Sequence, residues 1–372
     1  MTALPSDRAS FPVLQPGAHT DGAYLNSLPE NVFWGRLPCQ DDTPRAAVNP
    51  GEVITVDTLS HEGVLEDQGR EPEEFFGRFG IDRAEVLDDA RAVAASGLAH
   101  DFWDDGPHVV TGPVAVRGAR PGDLLAITVL ALTPRVGYGM VSARHGFGAL
   151  PGEMPVPGVT DPVTTFATAV PGHRAGTGVM AVDRDNPDRG RITFPLSPFL
   201  GVMGVATPGS QRLHSVPPGR HGGNIDVNLL GVGSTFYLPV QVPDALAYFG
   251  DPHFAQGDGE VALTAFEASL RATVRLDLIP GGATRRPGGT PRPFAETDDL
   301  LIPIGMDEDL DEAMKDAVRC ALDLLATDYG IERHLAMAYL SAAGDFSVSQ
   351  VVDATKGVHG KIRKADLREV RR

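Results

Sequence analysis

The hydrophobic pattern of this 372-residue chain changes its period once, and that change limits the folds it can adopt. Up to about residue 280 the apolar residues alternate with polar ones or form short runs between turns, which predicts β-strands. After residue 307 they recur every three or four positions, which predicts amphipathic helices. Strands followed by helices, rather than alternating with them, indicate an α+β class with a β-rich body and C-terminal helices.

A few segments carry the clearest signals. We predict strands at 51–59, 124–132, 235–242 and the second half of 260–279. In the last part of the chain we predict helices at about 308–328 and 331–341, with Gly330 ending the first. One earlier helix is expected at about 82–96, because Asp82-Arg-Ala-Glu85 resembles a capping box.

We expect three segments that form one structural domain. Residues 1–50, rich in proline and polar side chains, predict an extended arm. Residues 51–280 predict the β-rich body that carries the functional site, with a helical insertion at about 60–100. Residues 281–372 predict a helical segment packed on that body, and its basic end, 361–372, is expected to be solvated.

Composition excludes several classes of protein. A net charge of −17 repels phosphate backbones and anionic lipid, so roles on nucleic acid or membrane are disfavoured. Two cysteines, Cys39 and Cys320, do not make a disulfide framework or a cysteine-based zinc site. The first residues lack a signal-peptide pattern, and no run of eighteen apolar residues occurs, so we expect a cytoplasmic protein.

Polar side chains are concentrated between residues 221 and 260. His221-Gly-Gly-Asn-Ile-Asp226 is followed by Asp251-Pro-His-Phe-Ala-Gln-Gly-Asp-Gly-Glu260. A core does not need so many polar groups, and burying them without partners is costly. The neighbouring glycines let the backbone approach a ligand closely. This region therefore predicts an active site for polar chemistry with a divalent metal.

Six motifs resemble those of the acetamidase/formamidase family, and together they cover nearly the whole chain. They lie at 108–113, 118–123, 217–226, 233–242, 250–260 and 341–353. The resemblance implies hydrolysis of short aliphatic amides to a carboxylate and ammonia. It also implies a mixed β-barrel or sandwich body and a homo-oligomer. Residues 60–100 look like an insertion specific to a subgroup, and an insertion beside the site would change the substrate.

Hydrolysis of an amide needs an activated water and a polarised carbonyl, and a divalent metal supplies both. His253 is the first choice of ligand, because Asp251 points to the same side of an extended segment. His221 and Asp226 flank a Gly-Gly turn that would bring them to the same ion, and His108 is a further ligand candidate. Each histidine could instead be fixed in a loop by hydrogen bonds. The mixture of imidazole and carboxylate favours zinc, with calcium as the alternative if carboxylates dominate.

Two glutamates compete for the proton shuttle. Seven residues apart on one continuous strand, Glu260 and Glu267 would face opposite sides unless a bulge intervenes. We favour Glu260 because it ends the polar segment, whereas Glu267 could pair with Arg271 on the strand face. Asn224 is expected to donate a hydrogen bond to the substrate carbonyl, with a plain turn role as the alternative.

The remaining assignments are looser. Gly222, Gly223 and Gln256 are expected to contact substrate, and His61 and His100 are weaker metal candidates. Amidase mechanisms that need a lysine fit poorly, because the first lysine is Lys315. Two other functions stay open: a non-catalytic, metal-dependent binding protein for amide-like ligands, and a hydrolase of a larger amide or lactam, which the insertion suggests.

Overall fold

The computed structural model describes residues 11–18, 21–144, 146–158, 161–172, 175–183, 185–284 and 292–371. The strands of the first half are β1 Ala23–Leu25, β2 Val32–Trp34, β3 Ala46–Val48, β4 Glu52–Asp57, β5 Val109–Val116, β6 Leu124–Pro134, β7 Tyr138–Ala143, β8 Val163–Val170, β9 Thr177–Ala181 and β10 Arg191–Pro195. Those of the second half are β11 Phe199–Val205, β12 Gly222–Asn224, β13 Thr235–Pro239, β14 Ala247–Ala255, β15 Phe266–Glu267, β16 Leu270–Ile279, β17 Phe294–Glu296, β18 Leu300–Asp307, β19 Asp345–Gln350 and β20 Lys356–Arg363. The α-helices are α1 Pro72–Gly77, α2 Asp88–Ala94, α3 Leu310–Tyr329 and α4 Arg333–Ala343.

The strands form two large sheets. The first has the order β1-β4-β16-β6-β13-β17-β18-β20-β19. The second has the order β10-β9-β8-β7-β15-β14-β11-β12, and β5 joins it by pairing with β14, β2 and β3. Along the described strands both sheets are open, so the body resembles a sandwich rather than a closed barrel. The predicted β-rich α+β class is confirmed.

The main core lies where these two sheets face each other. Ile127, Phe236 and Val274 of the first sheet pack in one cluster with Met203 and Phe249 of the second, and all five are fully buried or nearly so. Alternation of apolar and polar residues along a strand places one set of side chains in this core. The sandwich therefore provides the rigid support on which the loops and strand ends are held.

The C-terminal helices lie where the sequence predicts them. Helix α3 begins after Asp309, whose side chain accepts hydrogen bonds from the backbone N–H groups of Asp311 and Glu312, and it ends at Gly330, which has a left-handed φ of 67°. It packs on β18 and β20 at very short range, because a Cβ on Gly305 would lie only 2.2 Å from the carbonyl oxygen of Ala313.

The basic end of the chain differs from expectation. Residues Lys356–Arg363 form β20 inside the first sheet, so the segment predicted to be solvated, 361–372, begins within a strand. Ile362 and Leu367 are buried there, whereas Arg363, Arg368 and Arg371 are exposed, so the prediction holds only for part of the segment. The basic residues sit on a strand whose alternate positions are apolar. The basic charge of this segment therefore gave no indication of the strand within it.

The insertion at 60–100 forms a second, smaller core. Phe75, Phe76 and Val93 pack with Tyr138 and Met140 of β7. The helix predicted at 82–96 is shorter than expected, and α1 was not predicted. The Glu85 side chain does accept from the backbone N–H of Asp82, but that turn is a 3₁₀ helix. Val86, with φ −80° and ψ 134°, is extended, so α2 begins only at Asp88.

A buried ion pair anchors this insertion to the body. Arg135, just after β6, lies 2.7 Å from Asp89 of α2, and both side chains are fully buried. The first 50 residues also join the body, because β1 pairs with β4 and both β2 and β3 pair with β5. None of the helices in the described part of the chain is long and apolar enough to span a bilayer.

Candidate active site

Three adjacent strands of the second sheet position the centre of the site. In the register of β11 and β14, Gly201 lies opposite Asp251, and in that of β14 and β15, His253 lies opposite Glu267. Asp226 follows the short edge strand β12, which pairs with β11. Residues distant in sequence thus meet on neighbouring strands, as side chains opposite each other in antiparallel pairs do.

His253 is the hub of this cluster. Its Nε2 lies 2.9 Å from Oδ2 of Asp251 and 3.1 Å from Oε1 of Glu267, and its Nδ1 lies 3.9 Å from Oδ1 of Asp226. Glu260 also reaches it: one ligand atom each of Asp226, His253 and Glu260 lie within 4.8 Å of one another. All five side chains are buried. The expectation that Glu260 and Glu267 face opposite sides is therefore wrong.

The reason for that error lies in the backbone. Residues 260–265 do not continue the strand, and Glu260 has a positive φ of 44° in a turn after β14. Asp226, Asp251 and Asp353 also have positive φ values, of 48°, 49° and 62°. Such values are uncommon for residues other than glycine and occur mainly where surrounding structure imposes them for function. Four of the acids in this centre are held in this way.

Gly201 allows the carboxylates to meet. A Cβ at this position would lie 2.3 Å from Oδ2 of Asp251 and 2.4 Å from Oδ1 of Asp226. Any side chain on β11 here would occupy the space that the acids now fill. Glycine is required at this position because of close approach and not because of its φ.

Gln256 fixes the orientation of the His253 ring. Its side-chain nitrogen donates to the backbone carbonyls of Asp226 (2.9 Å) and Ser349 (3.1 Å), so its carbonyl oxygen must face Nδ1 of His253, 3.1 Å away. His253 therefore donates from Nδ1, and Nε2 is the atom turned towards the acids. A hydrogen bond of this kind on the far nitrogen is typical of metal-binding histidines. Gln256 thus positions His253. Although Gln256 was expected to contact substrate, it is not among the described residues that line the cavity of about 490 Å³ beside this cluster.

The insertion contributes a second group of polar side chains. Nδ1 of His61 lies 3.7 Å from Oδ1 of Asp251, and Nε2 of His108 lies 3.8 Å from the same oxygen. Behind His61, Glu62 lies 3.4 Å from its Nε2 and 3.0 Å from Nη1 of Arg144. His61 was a weaker metal candidate from the sequence, yet it lies as close to Asp251 as the predicted ligand His108 does.

Burial and charge set the proton affinities here. Burial, reinforced by the charge of Asp251, raises the pKa of Asp226 well above its usual range, and it raises that of Asp353 to about 8. Against the opposing effect of burial, Asp251 and Glu267 hold the pKa of His253 well above 6.5. Burial, together with Asp226, raises the pKa of Glu260 well above its usual range. Crowding of buried acids thus favours the protonated forms of Asp226, Glu260 and Asp353.

A cavity of about 490 Å³ opens onto the cluster. Its polar wall includes Asn224, Asp226, Asp251, Glu260, Glu267, Asp353, His61, His108, Arg144 and Lys356. Near its mouth it is lined by Phe102, Trp103 and Phe147, of which Trp103 and Phe147 are exposed. Asn224 donates from Nδ2 to Asp353 at 2.8 Å, which leaves one N–H of the amide available. Lys356 reaches the cavity from β20, so a lysine does come from the C-terminal segment.

Three predicted residues are not brought into this centre. Among the described residues, neither the cavity lining nor the clustered ligand groups include His221, Gly222 or Gly223. His221 is buried beside Gly223, and burial alone lowers its pKa to about 4. Gly222 lies against β11, where a Cβ would come within 2.3 Å of the carbonyl oxygen of Met203, so it serves strand packing. Gly223 has a left-handed φ of 82° and lies against the His221 ring.

Some functional candidates were missed or underrated. Asp353 is the last residue of the motif at 341–353, and its place in that motif was the only sequence signal for a role in the site. No sequence pattern links Glu62 to Arg144, because Glu62 lies in the insertion and Arg144 follows β7. His145, in a possible substrate loop, lies outside the described residues.

Comparison with known proteins identifies the family of this chain. The sequence model of the acetamidase/formamidase family matches residues 99–214 and 205–359. This chain belongs to the acetamidase/formamidase family. The segment at 60–98, which supplies His61 and Glu62, lies outside that match.

Individual members of the family are distant relatives. The chain is 30% identical over 217 residues to a formamidase of Methylophilus methylotrophus, covering 48% of this chain and 53% of the relative. It is 30% identical over 224 residues to an acetamidase of Mycolicibacterium smegmatis, covering 47% and 54%. The matches therefore span about half the length of these curated relatives.

Solved structures resemble the chain over much more of its length. The acetamidase of Bacillus halodurans superposes with a TM-score of 0.70 at 25% identity, covering 93% of this chain and 99% of that structure. An acetamidase of Yersinia enterocolitica gives a TM-score of 0.71 at 24% identity, covering 95% and 96%, and supports the fold alone.

Proposed function

We propose that this protein is a metal-assisted hydrolase of carbon–nitrogen bonds in linear amides, which releases a carboxylate and ammonia. The observation that carries the proposal is the buried set of Asp251, His253 and Glu267 at the inner end of a cavity. Membership of the acetamidase/formamidase family supports the same reaction class. A homo-oligomer stays a prediction.

The donor atoms suit a divalent cation. Both carboxylate oxygens of Asp226, Oδ1 of Asp251 and Oε2 of Glu267 are buried without a hydrogen-bond partner. Buried polar atoms normally have a hydrogen-bond partner, so a group of buried acceptors without one indicates a binding site for a cation. We propose that Nε2 of His253 and oxygens of Asp251, Glu267 and Asp226 hold it, with zinc favoured over calcium because imidazole is present. Such an ion supplies an acidified water and polarises a carbonyl.

The protein's own residues handle the protons. Burial and the charge of Asp226 raise the pKa of Glu260 well above its usual range, which favours its protonated form, so we assign it the role of giving a proton to the departing nitrogen. The remaining N–H of Asn224 faces the cavity wall and is placed to donate to the carbonyl oxygen as negative charge develops there. Because these side chains are buried, they lie away from bulk water and their interactions are strengthened.

The size of the cavity favours a second candidate, an amide or lactam larger than acetamide. At about 490 Å³ the cavity lies within the range of about 300–1,000 Å³ that holds drug-sized ligands. The aromatic rings of Phe102, Trp103 and Phe147 near its mouth suit an apolar acyl group. On this proposal the polar end binds the amide and the aromatic mouth binds the rest of the substrate.

An amide panel tests both candidates. Purified protein loaded with zinc or calcium is given formamide, acetamide, longer acyl and aryl amides and lactams, and product formation is followed. We expect ammonia from linear amides, and its loss in His253→Ala with the circular dichroism spectrum unchanged. The exposed His334→Ala serves as the control. Metal binding without turnover of any compound would instead support the binding-protein alternative.

A further inference from the structure

The groups beside His253 contain donors for a second ion. His253 and His61 each turn one ring nitrogen towards both Asp251 and Glu267, and His108 turns one towards Asp251. For His253 that atom is Nε2, which faces Oδ2 of Asp251 and Oε1 of Glu267. For His61 it is Nδ1, 3.7 Å from Oδ1 of Asp251 and 3.9 Å from Oε2 of Glu267. Each acid thus presents one oxygen to His253 and the other to His61.

His108 completes the second group of donors. Its Nε2 lies 3.8 Å from the Asp251 oxygen that faces His61, and the two imidazole rings meet edge to face with centroids 5.7 Å apart. His61, His108 and Asp251 are all at least nine-tenths buried. Nδ1 of His61, Oδ1 of Asp251 and Oε2 of Glu267 have no hydrogen-bond partner. These unsatisfied atoms converge on one point between the insertion and β14.

The far side of each ring is held by a polar neighbour. Gln256 faces Nδ1 of His253, the Ser215 hydroxyl lies 2.9 Å from Nδ1 of His108, and Glu62 lies 3.4 Å from Nε2 of His61. Glu62 is itself paired with Arg144, whose Nη1 lies 3.0 Å from the same Glu62 oxygen. A carboxylate or other polar group behind each imidazole is the arrangement that orients histidines towards a metal.

We propose that the protein binds two divalent ions, bridged by Asp251 and Glu267. The first is held by His253 with Asp226, and the second by His61 and His108. The inference rests on the proposed function for the first ion and adds the second. Neighbouring ligand atoms around a zinc ion lie about 3.3 Å apart, given bonds of about 2.0–2.1 Å. The ligand atoms of His61, His108 and Asp251 lie within 4.8 Å of one another, so these side chains must close by at most about 1.5 Å when the second ion binds. Paired ions about 3.5–4 Å apart are held in this way in two-metal hydrolases.

The chemical identity of the second ion follows from its donors. Two imidazoles and two carboxylate oxygens suit zinc, cobalt or manganese better than calcium, which prefers oxygen ligands. Since His61 comes from the insertion, the second ion would tie that segment to the catalytic strands. Binding should therefore order the wall of the cavity that the insertion supplies.

Metal stoichiometry tests the proposal directly. The full chain is stripped with a chelator, dialysed against zinc at neutral pH, and its metal content is measured by mass spectrometry. We expect two zinc ions per chain, and one in His61→Ala and in His108→Ala. His221→Ala, another buried histidine but outside the cluster, should keep both ions. One ion in the wild type, or two in both His61→Ala and His108→Ala, would overturn the proposal.

A spectroscopic measurement guards against variants that fail to fold. The wild-type protein loaded with manganese is examined by electron paramagnetic resonance. Two ions bridged by carboxylates give a magnetically coupled spectrum, whereas uncoupled signals alone would contradict the bridge. The two proposals can be contradicted separately. One bound ion with amide turnover would contradict only the second ion. Two bound ions without turnover would contradict only the amidase function.

Discussion

Replacing Gly201 by alanine should disable the site while leaving the sandwich folded. The added Cβ would lie 2.3 Å from Oδ2 of Asp251 and 2.4 Å from Oδ1 of Asp226, and ordinary contact begins at 3.4 Å. Each oxygen must therefore retreat by about 1 Å, and a misplacement of that size costs on the order of 100-fold in rate. Overpacking of this kind lowers the free energy of unfolding by about 1–3 kcal/mol, which a domain of this size survives.

The assay is ammonia release from the best amide of the panel, together with metal affinity by calorimetry and the melting temperature. Gly257→Ala is the matched control, because Gly257 lies in the same polar segment with nothing within 4 Å of its added Cβ. We expect turnover and metal affinity to fall in Gly201→Ala and to persist in Gly257→Ala. A folded Gly201→Ala protein with wild-type turnover and affinity would refute the placement of the acids.

Three further results are expected. Gln256→Leu removes the acceptor that orients His253 and should weaken metal affinity about 10- to 100-fold, as titration calorimetry would show; unchanged affinity would contradict the positioning role. Asp89→Ala removes the nearer carboxylate from buried Arg135, leaves it only Asp57 at 3.6 Å, and should lower the free energy of unfolding by up to about 3–5 kcal/mol in denaturant titrations; Asp89→Leu combined with Arg135→Met should recover much of it, and no loss in the single variant would refute the anchor. Burial lowers the pKa of His359 from 6.5 to about 4, so the folded state resists its protonation and stability is lost as pH falls from about 6.5 towards 4, by up to roughly 3 kcal/mol; His359→Asn should flatten that part of the stability curve, and an unchanged slope would count against it.

The elements with a strong local signal could be predicted from the sequence. Helix α3 has a helical period, an aspartate at its N-cap and a left-handed Gly330 at its end, and it was placed to within two residues. Strand β16 alternates clearly and was found in the second half of its predicted segment. Both elements bury one face and expose the other, so their periodicity is visible without tertiary information.

Non-local and backbone effects could not be predicted. Glu260 and Glu267 were expected on opposite faces because alternation assumes a continuous strand, whereas the chain turns at Glu260 with a positive φ. Gly222 and Gly223 were expected to contact substrate, but the approach of β11 accounts for Gly222, and the left-handed φ of 82° beside the His221 ring accounts for Gly223. The pairing of strands far apart in sequence decides such points, and composition does not reveal it.

Part of the site was visible and part was not. Asp226, Asp251, His253 and Glu260 lie in one dense polar segment, and the structure brings them together. His61 could not be found because it lies some 190 residues before Asp251 in the chain, and it reaches the centre through the pairing of β4 with β16 and the hydrogen bond from the Ser60 backbone N–H to Ser269. A charged group whose partner comes from a remote segment leaves no local pattern.

The most direct test of the central claim is anomalous X-ray diffraction from crystals of the wild-type protein saturated with zinc. The account predicts an ion about 2.0–2.1 Å from Nε2 of His253, with oxygens of Asp251 and Glu267 at about 2.0–2.2 Å. Zinc bound only elsewhere, or no ion in this cluster after saturation with zinc and then with calcium, would contradict it.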